Sequence, residues 1–160
     1  MLRMSKMADY AALMLATMAE QPQSHHTAAE LAEETGISQP TVSKLLKTLG
    51  HADLVTSRRG AHGGYTLARE PAAISAVDVI EAIEGPLAVT ECTVSPGSCD
   101  LEPTCQLSSQ WQLLSVAVRR ALADITLKDL IGDPIAPHIA VHRPATIKFP
   151  KRLESKHGNA

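Results

Sequence analysis

Residues 27–49, TAAELAEETGISQPTVSKLLKTL, constrain the fold of this chain more than any other stretch. Thr27 and Glu30 stand at capping-box spacing: the threonine hydroxyl takes the N–H three residues on, and the glutamate reaches back to the threonine N–H. A helix therefore starts after Thr27. Gly36 ends it, because glycine enters the left-handed turn without a Cβ penalty. Ser38 is the expected cap of the next helix, and Pro40 suits a first turn, where its missing N–H is not needed. Val42, Leu45, Leu46 and Leu49 follow at i, i+3, i+4 and i+7, which is one buried face. Two short helices joined by a glycine turn form a helix–turn–helix pattern.

The surrounding chain supports a mainly α fold with a small β-wing. Residues 5–20 carry apolar side chains at helical spacing from Met4 and Met7 through Ala11, Met14, Leu15 and Met18. After the second helix, the runs 54–57 and 65–68 flank the basic, glycine-rich connection RRGAHGG, which reads as a hairpin. Ser75 caps AVDVIEAIE, which ends at Gly85-Pro86. A long helix is expected from about Ser109 to Asp124, with Trp111, Leu114, Val118, Ala121 or Leu122, and Ile125 on one stripe, and Thr126 with Asp129 opens a last short helix. Hydrophobic residues make up 44% of the chain but aromatics only 2%, so the core is aliphatic and favours helices packed on helices.

The boundaries this implies are a winged helix–turn–helix domain over 1–85, a cysteine loop over 86–107, a long helix with a short terminal helix over 108–132, and a disordered tail over 133–160. There is no run of about 18 apolar residues to cross a membrane. The N-terminal segment reads as a helix rather than a signal peptide, so the chain is expected in the cytoplasm. Neither a Ser/His/Asp arrangement nor a phosphate loop nor a paired carboxylate motif stands out, so no enzyme and no small-molecule substrate is expected.

The net charge of −2 conceals a segregation. Residues 76–107 carry six acids and no Lys or Arg, whereas residues 108–160 carry eight basic and four acidic side chains. Local clusters decide the partner. The outer face of the second helix holds Ser38, Gln39, Pro40, Thr41, Ser43, Lys44 and Lys47; the hairpin adds Arg58, Arg59, His62, Gly63 and Gly64. Gln39, Thr41 and Ser43 suit base edges, and Lys44 and Lys47 suit guanine or phosphate. Double-stranded operator DNA is the expected partner, although a solvated cationic face is the ordinary reading of any one of these residues. His25, His26 and His51 read as surface or packing residues.

All three cysteines, Cys92, Cys99 and Cys105, fall in one Pro- and Gly-punctuated stretch at C-x6-C-x5-C spacing. An odd number in a reducing compartment argues against a disulfide. The gaps are wide for a zinc knuckle. Soft thiolates in a loop suit an iron–sulfur cluster, with zinc next.

These pieces together resemble the Rrf-type winged-helix transcription regulators, the family of the iron–sulfur regulators IscR and NsrR. The resemblance rests on SKMADYAALML, ISQPTVSKLLKTL, LVTSRRGAHGGYTLA, ISAVDVIEAIEG and the three-cysteine loop, and it spans residues 1 to 131. The details SKMADYA, TVSKLLKTL, RRGAHGGY and EGPLAVTEC look closest to regulators of the SUF iron–sulfur assembly genes. The resemblance implies a homodimer joined largely through the long helix and cluster-dependent control of DNA binding, and the reading it supports is a repressor of such genes. It also implies Cys92, Cys99 and Cys105 as cluster ligands. IscR-like members place a fourth ligand, His, where this chain has Ser108; NsrR-like members take an Asp from the partner's first helix, and Asp9 matches that position. Asp9 as fourth ligand, and a 4Fe–4S rather than a 2Fe–2S cluster, are the preferred expectations, with Glu91, Asp100 and Glu102 as rival ligands. The alternatives are a nitric oxide- or redox-responsive regulator and a small zinc-binding scaffold.

Overall fold

A computed structural model describes residues 4–60, 63–95 and 97–132. The expected disordered tail and His62 lie outside the described residues. Helix α1 (Lys6–Glu20) is capped by Ser5, whose hydroxyl accepts the Ala8 N–H at 3.2 Å. Met14, Leu15 and Met18 of the expected stripe are fully buried, but Met4 precedes the helix and is 49% exposed. Helix α2 (Ala28–Thr35) carries the full capping box, with Glu30 N–H donating to Thr27 Oγ1 at 3.2 Å and Thr27 N–H to Glu30 Oε2 at 2.7 Å. Gly36 follows at φ 70°, ψ 10°, the left-handed turn that lets the chain double back.

Helix α3 (Gln39–His51) buries Val42, Leu45, Leu46 and Leu49. Ser38 stands at its N-cap, but the expected side-chain cap is absent: the Ser38 hydroxyl sits 2.8 Å from Thr41 Oγ1 instead of on a backbone N–H. The Ser38 carbonyl accepts the Thr41 and Val42 N–H groups. Strands β1 (Val55–Arg58) and β2 (Gly64–Leu67) pair antiparallel, each one residue off the expected runs, so that Arg58 faces Gly64 inside the ladder. His26 bridges to Tyr65 through bonds of 2.9 and 2.8 Å, which makes the α1–α2 linker a third edge of the wing.

Helix α4 (Ala76–Glu84) starts at the expected Ser75, which forms a capping box with Asp78, and stops at Gly85. The cysteine segment is not a bare loop. It holds a short helix, α5 (Glu91–Val94), and a 3-10 turn at Glu102–Thr104. Helix α6 (Ser108–Ala123) leads to α7 (Leu127–Ile131), capped by Thr126 and Asp129.

The core is aliphatic, as composition requires. Leu31, Leu45, Leu46, Leu49, Leu54 and Ile74 close on the α1 stripe, and Leu127 of α7 joins them at 0% exposure. Each such side chain contributes roughly 1.5–3 kcal/mol by leaving water. Leu127 N–H donates to Ile74 O at 2.7 Å and Ala76 N–H to Ile125 O at 2.8 Å, so the end of the described chain is stitched to the start of α4. The terminal helix, grouped in the sequence with the long helix before it, thus seals the winged domain, because Leu127 and Ile131 pack on the core that α1 lines.

Candidate DNA interface and cysteine segment

Burying its four apolar residues turns the other face of α3 outward. Ser38, Gln39, Pro40, Ser43, Lys44 and Lys47 are exposed, and Thr41 is partly buried under its bond to Ser38. Arg58 and Arg59 are exposed at the hairpin tip. Among the described residues the salt bridges are Arg69–Asp78 and Arg119–Glu81, so these four cations are not neutralised by a carboxylate. Gly63 is held by sterics: a Cβ there would lie 2.3 Å from Arg58 O and 2.9 Å from Gly60 O, so a side chain forces the tip open. Its N–H donates to Gly60 O at 2.9 Å.

A groove of about 680 Å³ runs between α3 and the wing, lined by Ser43, Lys47, His51, Asp53, Thr56, Ser57 and Tyr65, among others. The structure therefore brings Ser43 and Lys47 together with His51, which the sequence reads as a surface or packing residue, and with Thr56 and Ser57, which sequence reasoning passed over. The signal was the alternation of the first strand, which places Thr56 on the β2 threonine Thr66, hydroxyls 3.0 Å apart. Asp53 enters this groove from a turn with φ 54°, a left-handed conformation that Asp tolerates better than most residues.

The cysteine segment carries three free thiols. Cys92 on α5 is buried at 8% exposure, and Cys99 and Cys105 are partly buried. Thr90 Oγ1 lies 3.2 Å from Cys92 Sγ. Among the described residues no three His, Cys, Asp or Glu side chains are gathered closely enough to hold a metal ion. In chemistry the donor set fits an iron–sulfur cluster, since three reduced thiols fall within one short stretch; in position the thiols are not converged. Asp9 is exposed in the first turn of α1, and Glu91 and Asp100 are exposed as well. Glu102 is engaged, accepting the Gly97 N–H at 2.7 Å. Ser108 opens α6 and is partly buried.

Around this segment α4 acts as a junction. Glu84 Oε1 accepts the Ser5 N–H at 2.7 Å, and Glu81 takes both Arg119 Nε at 2.9 Å and Arg119 Nη2 at 3.0 Å. The Arg119 guanidinium, with help from the Leu87 N–H, holds the Glu81 carboxyl below the usual glutamate range despite partial desolvation. On α6, Trp111, Leu113, Leu114 and Val116 are 36%, 71%, 43% and 46% exposed, while Val118 and Leu122, and Ile125 just beyond the helix, are partly buried. Of the expected stripe, Trp111 and Leu114 are therefore uncovered and Val118 and Ile125 are half-covered, while Leu113 and Val116 are exposed on other sides of the helix. No helix among the described residues is long and apolar enough to cross a membrane.

The family model described as Rrf2, iron-dependent transcriptional regulator, matches residues 4–133. A Mycobacterium tuberculosis protein, provisionally named an HTH-type transcriptional regulator, is 34% identical over 143 residues, covering 87% of each chain. The solved structure of CymR, the global cysteine regulator of Bacillus subtilis, is 30% identical with a TM-score of 0.64, covering 82% of this chain and 97% of that one. The structure of IscR from T. potens is also 30% identical, with a TM-score of 0.59, covering 81% and 86%. The Mycobacterium tuberculosis relative and CymR are named as regulators, of transcription and of cysteine, not as enzymes.

Proposed function

The chain belongs to the Rrf2 family of transcriptional regulators, and from that premise we propose that it is a dimeric DNA-binding repressor of iron–sulfur assembly (SUF) genes that carries a cluster on Cys92, Cys99 and Cys105. The observation that carries the reading is the pairing of two features in one chain: an unneutralised cationic face on α3 and the wing, and three free thiols in the segment leading to α6. Gln39 and Ser43 at the start of α3 offer donors and acceptors to base edges in the major groove. Lys44, Lys47, Arg58 and Arg59 supply phosphate contacts or guanine pairing, Gly63 and Gly64 keep the wing slim enough for close backbone approach, and His62 is a further proposed DNA contact. Trp111, Leu114, Val118 and Ile125, with the neighbouring apolar residues of α6, form the face for a second copy.

A bound cluster would supply iron responsive to oxygen, nitric oxide and redox state. This chain's own residues hold it and convert its presence into the relative placement of two DNA-reading helices. Asp9 from the second copy is the proposed fourth ligand, which implies a 4Fe–4S cluster. A carboxylate is a harder donor than a thiolate, so that corner would be the easiest to open.

Native mass spectrometry after anaerobic purification counts irons and sulfides per dimer. Four irons and four sulfides per chain support the reading, and zinc or no metal overturns the cluster. Cys92→Ala, Cys99→Ala and Cys105→Ala are each expected to abolish stable assembly. Asp9→Ala is expected to assemble a short-lived cluster, and Ser108→Ala to behave as wild type; the reverse order places the fourth ligand within the chain. Sedimentation of Leu114→Asp/Val118→Asp is expected to show monomers that have lost tight operator binding. A second reading, direct thiol sensing without a cluster, is favoured by the partial exposure of Cys99 and Cys105 and the separation of the three thiols. Reversible change of operator affinity on oxidation of metal-free protein is its signature.

A further inference from the structure

Of the sixteen residues of α6, Ser115 alone is buried. Helices that dock by the hydrophobic effect bury Leu or Ile; this one buries a hydroxyl, which is costly unless both its donor and its acceptor are used. Both are used. Ser115 Oγ accepts the Val89 N–H at 3.2 Å and donates to Thr93 Oγ1 at 3.2 Å. Thr93 Oγ1 accepts the Thr90 N–H at 3.2 Å and donates to the Thr90 carbonyl at 2.6 Å. The Thr90 hydroxyl in turn lies 3.2 Å from Cys92 Sγ and 3.5 Å from Thr93 Oγ1. An unbroken polar path therefore joins α6 to the buried cysteine. Four residues along α6, on the same face, Arg119 makes its two-pronged bond to Glu81 of α4. One face of α6 is tied to the cysteine segment through Ser115 and to the winged domain through Arg119.

We propose that Ser115 is a positioning residue that transmits the state of Cys92 to α6, and through Arg119 to the DNA-binding domain. This rests on the reading of Cys92 as a cluster ligand. The Thr90 hydroxyl has one proton and two neighbours. It bridges the Cys92 sulfur and the Thr93 hydroxyl, so a displacement of either is felt by the other. Any shift of Cys92 toward the other cysteines also moves Thr90 and Thr93. That shift strands the buried Ser115 hydroxyl unless α6 moves with it.

The test is a double-mutant cycle on metal-free full-length protein with Cys92→Ala, Ser115→Ala and the double variant. It is read by hydrogen exchange across 87–95 and α6 and by operator affinity. The proposal expects Cys92→Ala to alter α6 exchange in the wild-type background and to have no effect once Ser115 is Ala, a non-additivity typical of residues in one network. Thr93→Val, which keeps the shape and removes the hydroxyl, is expected to match Ser115→Ala, and Thr93→Ser to restore wild-type behaviour. In cluster-loaded protein, the ratio of loaded to free operator affinity, on the order of 5–150-fold for allosteric couplings, is expected to fall to about one in Ser115→Ala at unchanged iron content. Additive effects, or an unchanged ratio, overturn the proposal. Wild-type protein that takes up no iron overturns the cluster reading, and the metal-free cycle still decides the role of Ser115.

Discussion

The winged domain and the cysteine segment with α6 are held together by different physics. In the first, α1, α3 and α7 close on Leu31, Leu45, Leu46, Leu49 and Leu127, all at 0–1% exposure, and α2, α4 and α7 begin with full capping boxes. In the second, α6 attaches through one buried serine and one arginine–glutamate pair, and Val94, Leu101, Leu107 and Leu113 stay more than half exposed. Burial is cooperative and all-or-none, so the winged domain serves as a rigid reader. A few hydrogen bonds are individually exchangeable, and a segment built on them can adopt a second arrangement at small cost.

The contrast breaks most readily in the core. Leu46→Ala is expected to lower stability by about 2–5 kcal/mol, whereas Leu101→Ala should lie within about 0.5 kcal/mol of wild type in the same urea titration. Equal losses would show that the cysteine segment is packed as firmly as the reader. On the DNA side, Lys44→Ala is expected to cost roughly 1–3 kcal/mol of operator affinity if it pairs with a guanine. Arg59→Ala should instead lower the salt slope by about one unit, as a phosphate contact does. Fluorescence anisotropy at several salt concentrations separates these outcomes, and no change in either variant removes this face as the interface.

A smaller effect sharpens the comparison within the winged domain. Thr27→Ala removes the α2 capping box and should cost about 1 kcal/mol, visible as a lowered thermal midpoint, with the absorbance of any bound cluster unchanged. The smallest concerns Glu81. Its pKa is depressed chiefly by Arg119, so the α4–α6 tie is complete above the ordinary glutamate range and is lost as pH falls through the lowered value. Hydrogen exchange in α6 should therefore rise on acidification, and Glu81→Gln should abolish that pH dependence.

Much of the winged domain was legible because its signals are local. Thr27 with Glu30, Gly36, Ser75 with Asp78 and the four-residue stripe of α3 each announce themselves within a few positions. Ser38 misled because a cap needs a free hydroxyl, and Thr41 three residues on takes it. His26 was read as a surface or packing residue; nothing adjacent in sequence shows that its backbone pairs with Tyr65. In the cysteine segment the sequence locates the three thiols and not their arrangement, since their approach depends on contacts across the chain. Ser115 was invisible for the same reason: one serine among SSQWQLLSVAVRR has no pattern of its own, and only its partners Val89 and Thr93 give it a role.

The stitching of α7 to α1 and α4 has a consequence for how the chain is made. The stripe of α1 is among the first parts synthesised, yet Leu127, which helps to cover it, comes more than a hundred residues later. The reader is thus completed only after the cysteine segment and α6 have been synthesised. Such sequence-distant closure slows folding and leaves apolar surface open in the meantime. It also turns the cysteine segment and α6 into a loop fastened at both ends to one body. Removing α7 is therefore expected to uncover α1 and to release one end of that loop.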